Sequence, residues 1–186
     1  KGQVVDAAMI DGTSMLMSLF YSFYGSGVWS NERESNLLDG AAHFYDTYEC
    51  KDGKYIAVAC IEDKFYKEML DKLEITDEKF SKQFSKDVWP ELKSKLGEKF
   101  LSKNRDEWAM IFQNSDACIT PILDLDEAPK HEHNKSRSTF IERDGVVQPN
   151  PSPRFSETPL EIKSSPKEIG EDNILISEKY NINLQN

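Results

Sequence analysis

The sequence has 186 residues, of which 38% are hydrophobic and 30% are charged, and its net charge is −10 at pH 7. That length allows one good core or two small ones, and the composition is typical of a soluble globular protein rather than a low-complexity chain. The acidic balance argues against nucleic acid and against an anionic membrane as the main partner, since both bind basic surfaces.

The chain begins with a carboxylate between two predicted elements. Val4 and Val5 predict the end of a strand, and residues 7–29 predict one long helix whose apolar positions cover most of its circumference. Such a helix should be buried on several sides. Asp6 would lie at the corner, beside unpaired helix N–H groups, as an N-cap or as an active-site carboxylate. From this residue alone, the structural interpretation is favoured.

The region after a polar linker at residues 30–40 is predicted to mix strands and helices. Residues 43–50 and 54–60 flank Asp52-Gly53, a pattern that predicts a β-hairpin. The elements expected after it are helices over residues 62–73, 88–103 and 105–112, a short strand over 117–120, a short helix over 125–133, a hairpin over 140–147 and a final helix over 170–180. Between residues 149 and 166 there are five prolines, which predict an extended surface segment.

The sequence also argues against a membrane span, a paired-cysteine motif, a metal site and a phosphate-binding loop. The longest apolar run, residues 15–24, is interrupted by two serines and is too short to cross a bilayer. The three cysteines form no C-x-x-C pair, which favours reduced thiols in an intracellular compartment. His131 and His133 have no third ligand at suitable spacing, so a metal site is disfavoured, and there is no glycine-rich phosphate loop.

Short motifs in a shared order carry a resemblance over nearly all of residues 2–160. They are residues 2–12 (GQVVDAAMIDG), 36–48 (NLLDGAAHFYDTY), 57–62 (AVACIE), Phe65-Tyr66, 89–92 (WPEL), 116–121 (DACITP) and 133–137 (HNKSR). With these motifs the chain resembles the α-methylacyl-CoA racemases, which belong to the family III CoA-transferase group. His43 departs from the family pattern, which usually has proline there, and we expect it to be structural.

The resemblance implies an α/β fold overall, shared between a large and a smaller domain. Residues 1–34 would supply a strand and the long helix of the large domain, residues 35–148 a smaller α+β domain with hairpins, and residues 149–186 a proline-rich return to the large domain. The family forms interlocked homodimers and uses no cofactor or metal. The abrupt start at Lys1 leads us to expect that an N-terminal part is missing. The first residues show no signal-peptide pattern. The compartment implied is the peroxisome or the mitochondrion, although the chain shows no targeting signal.

The resemblance also assigns roles to residues. Racemisation next to a thioester needs two acid/base groups on opposite faces of the carbon. Asp6 matches one of them, and Glu91 matches a glutamate that assists the other, a histidine in the missing part. Without the resemblance, Glu91 would be a favourable charge at a helix N-terminus. The residues expected to contact the acyl-CoA substrate are Met9, Gly40, Ala41 and Tyr45.

Three functions follow. The first is racemisation of 2-methylacyl-CoA thioesters in branched fatty acid and sterol side-chain metabolism, with the isolated chain inactive. The second is CoA transfer with Asp6 as nucleophile, disfavoured because no run of consecutive glycines is present. The third is a non-catalytic dimerisation and acyl-binding fragment, marked by an exposed apolar face along residues 7–24.

Overall fold

The computed structural model describes residues 2–183 and divides them into two compact units, one ending at Ile122 and one beginning at Leu123. The first unit contains a three-stranded antiparallel sheet with helices against it, and the second contains a two-stranded hairpin with short helices. The chain therefore mixes α and β elements, as predicted. Among the described residues, no helix is long and apolar enough to cross a membrane.

The N-terminal segment, residues 2–29, is helical but exposed. Helix α1 spans Met9–Leu16 and helix α2 spans Ser18–Gly25, and neither contains a buried residue. Residues 2–8 form no strand. The predictions of a strand ending at Val5 and of one helix over 7–29 buried on several sides are therefore wrong for this structure. At the break, the Ser18 hydroxyl donates to the carbonyl of Met15 at 2.6 Å, a local bond that competes with regular helix geometry.

The first hairpin forms as predicted. Strand β1 (Tyr45–Glu49) pairs antiparallel with strand β2 (Tyr55–Ala59), with Tyr48 opposite Ile56. Gly53, in the turn, has a φ of 75°, which glycine adopts without strain. Strand β3 (Ile119–Pro121) pairs with the other edge of β2, so β2 is the central strand.

Three helices pack around this sheet, each close to its predicted position. They are α3 (Asp63–Lys72), α4 (Trp89–Phe100) and α5 (Arg105–Phe112). Proline occupies the first turn of α4, where its missing N–H costs nothing. Asn104 and Glu107 form a capping box that starts α5. Residues Glu78–Lys82 form a short 3-10 helix between α3 and α4.

The core of the first unit lies between the sheet and these helices. Its largest fully buried side chains include Trp108, Phe44, Phe80, Phe100 and Ile56. Both buried tryptophan indoles donate hydrogen bonds to main-chain carbonyls, one at 2.7 Å and one at 2.8 Å. Such bonds remove the free-energy cost of burying the indole N–H.

The three cysteines are free thiols. Cys50 and Cys60 are buried, and burial raises the pKa of Cys50 to about 11 and that of Cys60 to about 12. Cys118, next to β3, is exposed. The thiols therefore differ in access to solvent.

The second unit departs from prediction at its first helix. Residues 125–133 do not form one helix: Ala128–Lys130 form a 3-10 turn, His131 is extended, and helix α6 spans Glu132–Ser136. Pro129 explains the difference, because proline lacks the N–H that a helix interior needs.

The rest of the second unit follows the predictions. Strands β4 (Phe140–Arg143) and β5 (Val146–Pro149) form the second hairpin around Asp144 and Gly145. Residues 150–172 form no helix or strand, as the prolines predict, and helix α7 spans Asn173–Tyr180.

Candidate functional site

A pocket of about 360 Å³ lies beside the first hairpin. Its walls are the loop before β1, the first part of β1 and the second half of β2. The lining residues are Leu38, Asp39, Gly40, Tyr45, Asp46, Thr47, Ala57, Val58 and Ala59. Small and apolar residues of β2 thus line the pocket together with residues of the loop and of β1.

Asp39 holds the loop in shape. One carboxylate oxygen accepts hydrogen bonds from the main-chain N–H groups of Asn36 at 2.9 Å and Ala41 at 3.3 Å. The other accepts from the main-chain N–H of Ser35 at 3.2 Å and from the Asn36 side chain at 2.7 Å. Burial by itself raises the pKa of Asp39, but the hydrogen bonds from Asn36, Ser35 and Ala41 outweigh it and lower the pKa below its ordinary value. An anionic Asp39 therefore fixes this wall of the pocket.

Gly40 is confined by its neighbours as well as by its backbone. Its φ is 91°, and a Cβ added there would lie 3.4 Å from Oδ1 of Asp46. Lys93 of α4 donates a hydrogen bond to the Gly40 carbonyl at 2.7 Å and forms a 2.6 Å ion pair with Oδ2 of Asp46. Lys93 therefore ties the loop to β1. The sequence does not predict the pairing of Lys93 with Asp46, because no local pattern pairs two residues so far apart in the chain.

The structure brings three of the predicted substrate-binding residues together. Gly40 and Tyr45 line the pocket, and Ala41 follows Gly40 in the loop and donates its N–H to Asp39. Their assignment to substrate stays a prediction, although their proximity is what that prediction requires.

Asp6 and Met9 lie elsewhere, on the N-terminal segment. Met9 is the first residue of α1 and is 89% exposed. The N-cap of α1 is Ala8, so the interpretation of Asp6 as an N-cap is wrong: the helix begins two residues later than expected. Asp6 is exposed, makes no hydrogen bond or ion pair within residues 2–183, and does not line the pocket.

Glu91 lies in the first turn of α4, half-exposed among lysines. The Lys79 ammonium is 2.8 Å from each of its carboxylate oxygens, and the Lys95 ammonium is 2.8 Å from Oε1. Hydrogen bonds from Lys79 and Lys95 lower the pKa of Glu91. The alternative of a favourable charge at a helix N-terminus agrees with this position, and Glu91 does not line the pocket.

His43 is fully buried within a cluster of aromatic rings. Its Nε2 lies 2.7 Å from the Tyr66 hydroxyl, which in turn donates to the Phe80 carbonyl at 3.0 Å. The Tyr66 proton is thus used, so Nε2 must be the protonated ring nitrogen, and Nδ1 has no partner among the described residues. Burial lowers the pKa of His43 to about 4. A neutral, buried imidazole of this kind is structural, as expected.

Comparisons with known proteins agree with the resemblance. The model of CoA-transferase family III matches residues 1–173. The chain is 38% identical over 183 residues to the mouse (Mus musculus) protein named alpha-methylacyl-CoA racemase, a match covering 97% of this chain and 48% of that protein. It is 41% identical over 160 residues to the human (Homo sapiens) protein of the same name, covering 86% and 42% respectively.

A solved structure shows the same fold. A CAIB/BAIF family protein from Brucella suis superposes with a TM-score of 0.72 at 23% identity, covering 96% of this chain and 48% of that one. The predicted fold class is therefore confirmed. The chain spans about half the length of the curated relatives it matches.

Proposed function

This chain belongs to CoA-transferase family III, and on that premise we propose that it forms part of an isomerase interconverting the (2R) and (2S) forms of 2-methylacyl-CoA thioesters. The observation that carries the proposal is the 38–41% identity, along most of the chain, to two proteins named alpha-methylacyl-CoA racemase. The pathway proposed for it is branched fatty acid and sterol side-chain metabolism.

The proposed chemistry is proton transfer without a cofactor. A base removes the proton next to the thioester, and the electron pair of the C–H bond moves into the carbonyl to give an enolate. Hydrogen-bond donors near the thioester oxygen stabilise that charge. An acid then returns a proton to the opposite face, and the electron pair reforms a C–H bond, which inverts the configuration.

In this proposal Asp6 is one of the two acid/base groups. An exposed carboxylate is a poor base for so weak an acid, since water solvates it and screens its charge. The proposal therefore requires that substrate or another part of the complete protein cover Asp6 and Met9 during the reaction. The isolated chain is accordingly expected to be inactive.

The pocket beside the first hairpin is proposed to contact substrate through Gly40, Ala41 and Tyr45. The Gly40 loop is rigid because Asp39 and Lys93 hold it from two sides. A rigid loop orients a ligand at a smaller entropic cost than a mobile one. The three-part domain division and the homodimer stay predictions, as does a peroxisomal or mitochondrial location.

The first test uses the full-length protein and one enantiomer of a 2-methylacyl-CoA in deuterated water. We expect loss of optical purity, measured by chiral chromatography, together with incorporation of deuterium at the α-carbon, measured by mass spectrometry. Asp6→Asn should lower the rate by at least about 100-fold, the usual contribution of a general acid or base. The matched control is Asp11→Asn, an exposed carboxylate on the same segment, which should keep wild-type activity.

Two outcomes would contradict the proposal. Full racemase activity in the Asp6 variant would exclude Asp6 as an acid/base group. Transfer of CoA to an added free acid, without deuterium exchange, would instead favour the transferase function with Asp6 as nucleophile.

The third function, a non-catalytic binding fragment, predicted an exposed apolar face along residues 7–24, and α1 and α2 present one. The same feature fits a chain whose catalytic segment is covered in the complete protein. The deuterium experiment on the full-length protein distinguishes the two, because a binding fragment of an inactive protein would exchange no proton.

A further inference from the structure

We propose that Lys79 and Lys95 are positioning residues that hold the Glu91 carboxylate in one orientation and leave one acceptor site on it for a histidine N–H. The inference rests on the proposed function and on the role that the resemblance implies for Glu91, which is to assist a histidine. It adds residues that neither the resemblance nor the motifs assign.

The geometry begins with the two cations. Lys79 reaches both oxygens of Glu91 at 2.8 Å, and Lys95, one helical turn after Glu91, reaches Oε1 at 2.8 Å. Lys79 comes from the 3-10 helix Glu78–Lys82 and Lys95 comes from α4, so the carboxylate is held from two separate elements. A carboxylate held from two elements cannot rotate freely.

Asp77 completes the arrangement. Its Oδ2 pairs with Lys95, and its Oδ1 accepts the main-chain N–H of Lys79 at 2.9 Å, which caps the 3-10 helix. Asp77 therefore fixes the start of the element that carries Lys79. The four side chains alternate in charge in the order Asp77, Lys95, Glu91, Lys79.

The Glu91 carboxylate has one hydrogen-bond acceptor site that the lysines do not use. A carboxylate offers about four lone-pair sites, two on each oxygen. Oε1 of Glu91 receives Lys79 and Lys95, whereas Oε2 receives only Lys79. One site on Oε2 is therefore left, and the 44% exposure of the side chain leaves room to approach it. An imidazole N–H has the size and polarity to use this site.

The two cations also set the charge that such a histidine would meet. A carboxylate alone stabilises the imidazolium ion and raises the pKa of a histidine bound to it. Two ammonium groups on the same carboxylate offset part of that effect. A histidine on Oε2 is thereby oriented while keeping a larger neutral fraction near pH 7, which is the form that can accept a proton.

The test measures the pH dependence of kcat/KM for racemisation by the full-length protein. Lys79→Met and Lys95→Met should each move the acid limb to higher pH by roughly half a unit and lower kcat by roughly 3–10-fold, since the histidine holds its proton more tightly and the carboxylate is less fixed. Lys79→Arg keeps the charge and can still donate to both oxygens of Glu91, so it should stay near wild type. Lys82→Met, at an exposed lysine of the same 3-10 helix, removes an equal charge and should leave the profile unchanged.

Glu91→Gln separates the failure of this inference from the failure of the proposed function. If Glu91→Gln is impaired and both lysine variants keep the wild-type profile, the positioning role is overturned while the role of Glu91 stands. If Glu91→Gln racemises at the wild-type rate, the inference and the role of Glu91 fail together, but the isomerase function does not. Equal shifts of the pH profile in Lys79→Met and Lys82→Met would show that general surface charge causes the effect, and this result would also overturn the positioning role.

Discussion

Helices α2 and α4 differ in composition and, in the opposite sense, in burial. Helix α2 is built mostly from apolar and aromatic residues and buries none of them, whereas α4 is rich in lysine and glutamate and buries Trp89, Leu92, Leu96 and Phe100. The buried residues of α4 recur every three or four positions and so form one stripe that faces the sheet. Burial is thus decided by whether apolar side chains share a face and have a surface to meet, more than by how many there are.

The same contrast separates the two proposed catalytic carboxylates. Glu91 is attached to the buried helix and is held by lysines from two elements. Asp6 precedes an exposed helix and has no partner among the described residues. One carboxylate is positioned by this chain itself, and the other depends on what covers the N-terminal segment.

The largest expected effect is on stability in the core. Phe100→Ala should lower the free energy of unfolding by about 3–5 kcal/mol, because it removes a fully buried ring and leaves a cavity. Leu19→Ala, at a side chain that is 55% exposed, should change it by less than about 0.5 kcal/mol. Urea denaturation measures both. Equal losses would show that α2 is packed in solution and would remove the contrast between the helices.

A somewhat smaller effect is expected from pH. His43 has an ordinary pKa of 6.5 that burial lowers to about 4 in the folded chain. Between these values the unfolded chain binds a proton that the folded chain does not, so stability is complete above about pH 6.5 and declines as the pH falls toward 4. The loss should be on the order of 3 kcal/mol.

Denaturation at a series of pH values checks this origin of the acid sensitivity. His43→Leu should flatten the dependence between pH 7 and 5, because it removes the titrating group. His133→Leu, at an exposed histidine of the second unit, should retain it. A wild-type slope in the His43 variant would assign the dependence to other groups.

The smallest of these effects concerns the two aspartates. Asp39→Ala removes the acceptor for several hydrogen bonds in the Gly40 loop and should cost about 1–3 kcal/mol. Asp6→Ala removes no such bond and should stay within about 0.5 kcal/mol of wild type. Thermal unfolding followed by circular dichroism measures both. A large loss in the Asp6 variant would mean that the N-terminal segment has partners in solution.

The sequence predicted best what depends on neighbouring residues. The hairpin at Asp52-Gly53 is predicted correctly because turn chemistry is local. The burial of residues 7–29 is predicted wrongly, since burial depends on a surface for the helix to pack against. The prediction of one helix over 125–133 is wrong because Pro129 interrupts it.

In the candidate site, too, residues close together in the sequence are predictable and pairs distant in the chain are not. The prediction of Gly40, Ala41 and Tyr45 as substrate contacts comes from one motif, and the structure places these neighbours around the same pocket. The pairs formed by Lys93 with Asp46 and by Lys79 with Glu91 join residues distant in the chain, and only the folded structure reveals them. The sequence therefore predicts the loop but not Lys93, which holds it.

The distribution of the cysteines gives this chain a built-in reporter of transient opening. A thiol reagent applied to the native protein reaches Cys118 directly, whereas Cys50 and Cys60 react only in molecules whose core has opened. The ratio of slow to fast labelling measures how often the sheet separates from its helices, with no substitution introduced. Masses of one, two or three adducts would then distinguish the opening of one buried site from the opening of both.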